Sequence, residues 1–214
     1  MKQESKDILE QLIQRFPLLE GCKDEIEKAF YILKQTYENK GKVLICGNGG
    51  SAADSEHIVG ELMKGFLLRR SLPNEKREKL IAAFGEDGQY LADNLQGALP
   101  AISLVSQSSL AYAYINDVAP DMVFAQQVYG YGMAEDVLIG LSTSGNSKNV
   151  VNAIKAARAF GLKTVGMTGE KGGKMKELCD VTIKVPAEET YKIQEYHLPV
   201  YHVLCAMIEM EFFG

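Results

Sequence analysis

The fold of this chain is decided by one stretch, "KVLICGNGGSAADSEHIVGEL", which covers residues 42–62. Its first five residues are largely apolar and are closed by a glycine-rich turn. The segment after the turn carries apolar residues at helical spacing. The stretch therefore predicts a strand, a tight turn and a helix.

The same unit recurs along the rest of the chain. Apolar runs at 101–105, 136–141, 163–168 and 181–185 are each followed by a segment with helical periodicity. Two amphipathic helices precede the first unit, and a largely apolar helical segment covers 190–212. This alternation predicts an α/β fold with a doubly wound, five-stranded parallel sheet between two helical layers.

The length of 214 residues, 46% of them hydrophobic, suits one domain with one sizeable core. We therefore expect a single domain over 1–214. Residues 69–98 do not fit the strand–helix alternation, because they are polar, helix-prone in two pieces and longer than a usual connection. This stretch is predicted to be a helical insertion.

The charge balance argues against one class of partner. With 23 basic and 28 acidic residues the net charge is −5, which disfavours direct nucleic-acid binding. The short basic stretches, Arg69-Arg70 and 171–176, are expected to be solvated surface.

Targeting and cysteine signals favour the cytoplasm. The chain shows no signal peptide and no apolar run of the ~18 residues that a membrane span needs. The four cysteines lack C-x-x-C spacing, so we expect buried free thiols; they are Cys22, Cys46, Cys179 and Cys205.

Two loops have the composition of a phosphate site. Gly47–Ser51 opens the helix after the first strand, and Ser142–Ser147 brings four hydroxyls and a glycine to another helix N-terminus. Free N–H groups and the helix dipole favour an anion at both places. Two alternatives stay open: a dinucleotide-binding turn, since the first loop also matches G-x-G-x-x-G/A, and plain helix caps without a ligand.

Histidines and carboxylates form a second group. His57 and Glu61 are four residues apart on one predicted helix, which suits general base work, a metal site or a surface pair. His202 and Gln194 make a polar stripe on the apolar C-terminal segment, whereas His197 lies off that face. Pro199 is expected to kink that helix, or to delay its start to about 195–199, and so to bring Gln194 toward His202.

With "CGNGGS", "H-x-x-x-E", "LSTSGNS" and "IQEYH" in this order, the sequence resembles the sugar isomerase (SIS) domain family, and within it the phosphoheptose isomerases. The resemblance implies a flavodoxin-like sheet, a homotetramer and active sites built from more than one subunit. It implies Glu61 and His202 as the acid–base pair and zinc held by His57, Glu61, Gln194 and His202. The substrate-binding positions that it implies are Asn48, Gly49, Gly50, Ser51, Ser142, Thr143, Ser144, Ser147 and Gln194.

The chemistry that the resemblance implies is conversion of sedoheptulose 7-phosphate to D-glycero-D-manno-heptose 7-phosphate through an enediol. Glu61 would be the base and His202 the acid, while zinc would polarise the carbonyl or order the site. Leu104 and Tyr191 stand where heptose isomerases usually carry acids, so the sugar specificity stays open. The alternative is a non-catalytic phosphosugar-binding protein that acts on protein partners such as the replication initiator.

Overall fold

The structure is a computed structural model that describes residues 1–214. The helices are α1 (Gln3–Arg15), α2 (Lys23–Glu38), α3 (Gly50–Met63), α4 (Asn74–Asn94), α5 (Ser108–Asp117), α6 (Val123–Tyr131), α7 (Lys148–Ala159), α8 (Met175–Leu178) and α9 (Thr190–Phe213). The strands are β1 (Val43–Cys46), β2 (Ala101–Ser103), β3 (Val137–Leu141), β4 (Lys163–Gly169) and β5 (Val181–Val185). Two short 3₁₀ helices cover Pro17–Cys22 and Pro120–Met122.

The five strands form one parallel sheet in the order β2-β1-β3-β4-β5. The chain moves from β1 to one edge and then returns to build the other half from β3 to β5. The direction of winding therefore reverses between β1 and β3, which is where ligands bind in open α/β sheets. The predicted doubly wound sheet is confirmed, and its strand order is the flavodoxin-like one.

Helices cover both faces of the sheet. On one face, α1, α2, α3 and α9 pack into a core with residues such as Phe30, Ile45 and Tyr201. On the other, α6 and α7 pack with residues such as Leu44 and Leu138. Because both faces are covered, every residue of β1 and β3 is buried, which explains why these strands read as continuous apolar runs.

The C-terminal helix differs from its prediction. α9 runs without interruption from Thr190 to Phe213, with Pro199 inside it, so the expected late start is wrong. Val200, Tyr201 and Leu204 directly after the proline are buried against the core. Packing of these side chains outweighs the one backbone hydrogen bond that a proline removes.

The segment predicted as an insertion is a helical hairpin. α4 is broken at Gly85, whose φ of 56° lies outside the helical region. The guanidinium of Arg77 donates to the carbonyl of Ala92 at 2.6 Å, which is only reached if the two halves fold back on each other. Phe84 at the tip is exposed.

Arg70 is the clearest departure from the sequence prediction, because it is not solvated but only 1% exposed. Its Nε donates to Glu209 at 2.7 Å, and its two terminal nitrogens donate to the carbonyls of Leu62 (2.6 Å) and Glu61 (3.0 Å). The guanidinium thus caps the C-terminal end of α3, whose last carbonyls have no intrahelical partner. Glu209 also accepts three backbone N–H groups, those of Phe66, Leu67 and Leu68.

The cysteines are free, as expected, and three of the four are buried. Burial raises the pKa of the Cys22 thiol to about 11 and that of Cys205 to about 12, so both stay protonated at neutral pH. None of the helices combines the length and the apolar character that crossing a bilayer requires.

We expect Glu209→Gln to lower the free energy of unfolding by about 3–5 kcal/mol, because it leaves Arg70 buried without a counter-charge. The side-chain NH₂ of the new glutamine would also face backbone N–H groups that now donate to the carboxylate, so donors would face donors. Urea unfolding measures the change, and Glu86→Gln on the exposed part of α4 is the control, with a change within about 0.5 kcal/mol. A loss below about 1 kcal/mol for Glu209→Gln would contradict this role.

Candidate functional site

The two glycine- and serine-rich loops meet at the carboxyl ends of β1 and β3. The side-chain amides of Asn48 and Asn149 join them through two reciprocal hydrogen bonds of 2.9 Å. Between the loops and the first turn of α9 lies a cavity of about 440 Å³. It is lined by Asn48, Gly49, Gly50, Ser51, Leu141, Ser142, Thr143, Ser147, Thr190 and Gln194.

The first loop depends on its glycines. Gly49, directly before α3, has a φ of 57°, which side chains rarely allow. A Cβ on Gly50 would lie 2.6 Å from Nε2 of Gln194, so a larger residue here would displace the Gln194 amide. The first turn of α3, with its free N–H groups and positive dipole end, therefore forms a wall of the cavity.

The second loop turns its hydroxyls in different directions. The Oγ atoms of Ser142 and Ser147 are 2.8 Å apart, and both residues line the cavity. Ser144 is exposed, and its Oγ accepts the N–H of Asn146 at 3.2 Å instead of facing the cavity. Of the predicted substrate-binding residues, Ser144 is therefore the one that the structure does not bring to the cavity.

The histidine and carboxylate group assembles further along α3. Nε2 of His57 lies 3.2 Å from Oε1 of Glu61 and 3.5 Å from Nε2 of His202. Glu61 is only 9% exposed, and its other oxygen receives the Lys64 ammonium at 3.2 Å. A surface pair does not describe a carboxylate buried to this extent beside an imidazole that in turn contacts a second one.

The surroundings of His202 favour its neutral form. Burial and the neighbouring His57 lower its pKa, while Glu61 acts in the opposite direction. The ring of Phe66 lies 5.5 Å away and shields one side. A neutral imidazole N–H can polarise a carbonyl oxygen without carrying a charge of its own.

Two further residues, Asp54 and Tyr201, belong to this group, and the sequence analysis did not identify them. The Tyr201 hydroxyl donates to Oδ1 of Asp54 at 3.2 Å and lies 3.0 Å from Nδ1 of His57. Burial raises the pKa of Asp54 and that of Tyr201. Their spacing in the sequence could have indicated them. Asp54, His57 and Glu61 lie on one face of α3, and Tyr201 directly precedes His202.

Gln194 lies apart from His57, Glu61 and His202. Since α9 is unbroken, Gln194 and His202 are separated by about 12 Å along its axis. Gln194 instead lies against Gly50, where it lines the cavity at the start of α3. As placed, the side chains do not form a preassembled group of three metal ligands.

Three other residues singled out in the sequence lie away from the reacting groups. His197 is fully buried, neither ring nitrogen has a hydrogen-bond partner, and burial lowers its pKa to about 4. Leu104 is buried in the core on the far face of the sheet, beside α6. Tyr191 is exposed, with the Lys192 ammonium over its ring.

The dinucleotide interpretation of the first loop does not fit the fold. A dinucleotide site places an acid at the end of the next strand, about 20 residues on. Here α3 is followed by the turn that contains Arg70 and then by α4, and the next strand, β2, begins only at Ala101. The residue after β2 is the buried Leu104.

Comparison with known proteins agrees with this geometry. The model of the SIS domain family matches residues 4–86 and 91–169. The chain is 41% identical over 194 residues to a phosphoheptose isomerase of Helicobacter pylori strain P12, covering 91% of this chain and 88% of the relative.

Two solved structures are similar over almost the whole chain. One is a phosphoheptose isomerase from Neisseria gonorrhoeae, with a TM-score of 0.70, 33% identity and coverage of 96% of this chain and 93% of that one. The other is a phosphoheptose isomerase from Francisella tularensis, with a TM-score of 0.75, 27% identity and coverage of 98% and 100%. The chain therefore belongs to the SIS domain family and, within it, to the phosphoheptose isomerases.

Proposed function

We propose that the chain isomerises sedoheptulose 7-phosphate to D-glycero-D-manno-heptose 7-phosphate through an enediol. The observation that carries this proposal is the arrangement along α3. The anion-binding cavity lies at the first turn of the helix, and Glu61, with His202 beside it, lies on the same helix further on. The alternative of a non-catalytic binding protein is not favoured, since the relatives are named as enzymes.

The phosphate binds in the cavity between the two loops. Ser51, Ser142 and Ser147 supply hydroxyls there, and the backbone N–H groups at the start of α3 and α7 add donors. The hydroxyls of Ser142 and Ser147 already point at each other, 2.8 Å apart, so they can turn together toward one anion. Thr143 and Gln194 line the same cavity and contact the adjoining part of the substrate.

The sugar then extends along α3 toward the reacting groups. His57 lies seven residues after Gly50, which is about 10 Å along the helix axis. A heptose phosphate carries its phosphate and its reacting carbons at opposite ends of an extended chain. Its length therefore suits the distance between the cavity and the imidazoles.

Proton transfer needs one base and one acid. The Glu61 carboxylate removes a proton from C1 of the ketose, giving the enediol, and returns it to C2. The neutral His202 imidazole donates to the oxygen on C2 as the carbonyl is reduced and accepts the proton from the oxygen on C1. No net proton is gained or lost, and an aldose results.

We expect Glu61→Gln to lower kcat by about 10²- to 10⁴-fold, because the isosteric amide cannot accept the C1 proton. Discontinuous assay of aldose formation from sedoheptulose 7-phosphate measures this. Glu56→Gln is the matched control, since Glu56 lies on the same helix but is exposed and bound to Ser106. A Glu61→Gln variant within threefold of the unchanged chain would refute the assignment of the base.

Ser142→Ala is expected to raise KM by about 10-fold or more with kcat within about twofold, because a hydrogen bond to a charged phosphate is lost. Steady-state kinetics separate the two constants. Ser108→Ala, at the exposed start of α5, should change neither. An unchanged KM in Ser142→Ala would place the phosphate elsewhere.

We also propose that His57, Glu61 and His202 bind a zinc ion. Two imidazoles and a carboxylate are ligands that zinc prefers. Two of the three separations, His57–Glu61 at 3.2 Å and His57–His202 at 3.5 Å, are close to the edges of about 3.3–3.4 Å in a tetrahedral site, and the third, between Glu61 and His202, would form on binding. Bound zinc would act as a Lewis acid toward the sugar oxygens. Gln194 stays a predicted fourth ligand, which within one chain lies too far away.

Equilibrium dialysis tests this proposal with a binding readout. We expect about one zinc per chain, and His57→Gln should weaken binding by more than about 100-fold, because removing a ligand costs more than removing its outer partner. Glu195→Gln, an exposed carboxylate on α9, is the control and should bind normally. Equal zinc binding by the chain and His57→Gln would exclude this ligand set.

Finally, we propose that the chain works as a homotetramer in the cytoplasm. An apolar groove of about 390 Å³ beside His202 supports association, because Phe16, Phe66, Leu198 and Val203 line it. A second subunit there would enclose the reacting groups. Light scattering of the purified chain gives its mass, and a monomer would contradict the proposal. Four free cysteines agree with a reducing compartment.

A further inference from the structure

We infer that Asp54 and Tyr201 are positioning residues that hold His57 as the Nδ1–H tautomer and leave Nε2 unprotonated toward Glu61 and His202. The neutral imidazole ring carries one proton, and the partner of one nitrogen decides the state of the other. Nδ1 lies 3.0 Å from the Tyr201 hydroxyl. Nε2 lies on the opposite side of the ring, between the two reacting groups.

The direction of the hydrogen bonds follows from Asp54. An ionised carboxylate only accepts, so the single hydroxyl proton of Tyr201 lies between Tyr201 and Oδ1 of Asp54, 3.2 Å apart. The tyrosine oxygen then has lone pairs but no proton for His57. It can therefore only accept, and the proton of the imidazole lies on Nδ1.

The opposite arrangement would leave a buried charge without any partner. The Tyr201 hydroxyl is the one hydrogen-bond donor to Asp54, and Oδ2 of the same carboxylate is buried without a partner. If Tyr201 donated to His57 instead, both oxygens of Asp54 would be unsatisfied. On the Nε2 side two acceptors then face each other, Nε2 and Oε1 of Glu61 at 3.2 Å. This repulsion is reduced because the His57 side chain is open to water and the Lys64 ammonium lies 3.2 Å from Oε2 of Glu61.

This tautomer matters for the base. An Nε2–H would donate to Oε1 of Glu61 across 3.2 Å and occupy the oxygen that is proposed to take the C1 proton. With Nε2 unprotonated, Glu61 stays free, and Nε2 can accept the N–H of His202 or bind a metal ion. This consequence for catalysis rests on the proposed function, whereas the tautomer itself does not.

The tautomer can be read directly from ¹⁵N shifts of the imidazole ring. The full chain is labelled with [¹⁵N]histidine, and long-range ¹H–¹⁵N correlation spectra are recorded at a pH where His57 is neutral. A chelator is present, because zinc on Nε2 would itself enforce the same tautomer. The chain has three histidines, and the spectrum of His57→Gln assigns the signals of His57.

We expect a protonated Nδ1 in the unchanged chain and a shift to Nε2–H in Tyr201→Phe. Asp54→Asn should give the same shift, because its amide donates to the tyrosine oxygen and Tyr201 then donates to Nδ1. Tyr37→Phe removes another buried tyrosine hydroxyl, which is bonded to the Pro100 carbonyl, and should leave the tautomer unchanged. Thermal unfolding verifies that each variant is folded, and Asp54→Asn carries the test if Tyr201→Phe does not fold.

An Nε2–H tautomer in the unchanged chain, or an Nδ1–H tautomer that persists in both folded variants, would overturn the inference. Kinetics add a second readout: kcat of Tyr201→Phe should fall about 10- to 100-fold with KM within about twofold. If the tautomer shifts as expected but the unchanged chain does not turn over sedoheptulose 7-phosphate, the proposed function fails and the positioning role stands. If the chain is active and its tautomer is Nε2–H, only the positioning role fails.

Discussion

The buried ion pair between Arg70 and Glu209 fixes how α3 and α9 lie against each other. The guanidinium holds the last carbonyls of α3, and the Glu209 carboxylate holds the backbone of the turn that follows. A buried pair adds little net stability compared with apolar packing, but a broken pair costs a great deal. Its role is therefore to define register: any slide of one helix along the other would leave a charge unpaired inside the core.

That register determines the site, because α3 and α9 supply all of its reacting groups. Gly50 faces Gln194, Asp54 and His57 face Tyr201, and Glu209 anchors the turn after Glu61. The contacts lie in the same order on both helices. One line of contacts between the two helices thus runs from the cavity at the start of α3, through the Asp54–Tyr201 hydrogen bond, to the imidazole–carboxylate group.

The sheet was predictable from the sequence because its signal is local. Strands buried on both faces must be apolar throughout, so β1 and β3 stand out, and glycine at 49 is needed by the backbone itself. The two glycine- and serine-rich loops could be located from the same local pattern. Ser144 is the exception, because which hydroxyl faces the cavity depends on the turn at Gly145, and composition does not reveal that.

Nonlocal partners could not be predicted in this way. Arg70 looked like a solvated basic residue because its partner, Glu209, is 139 residues away. Asp54 and Tyr201 carry no motif of their own, and 147 residues separate them. The predicted late start of α9 at Pro199 failed for a related reason. The rule that proline interrupts a helix considers only the local backbone, whereas the burial of Val200 and Tyr201 depends on the whole core.

The unbroken α9 changes how the four residues of the family pattern act together. A late start of the helix would have let Gln194 fold toward His202, but a continuous helix holds them about two turns apart. Under the proposed function, Gln194 would then contact the phosphate end of the substrate and His202 the reacting end. With the phosphate bound as proposed, the spacing of these residues along α9 would select for the length of the sugar, because a shorter phosphosugar in the same loops would not extend as far as Glu61.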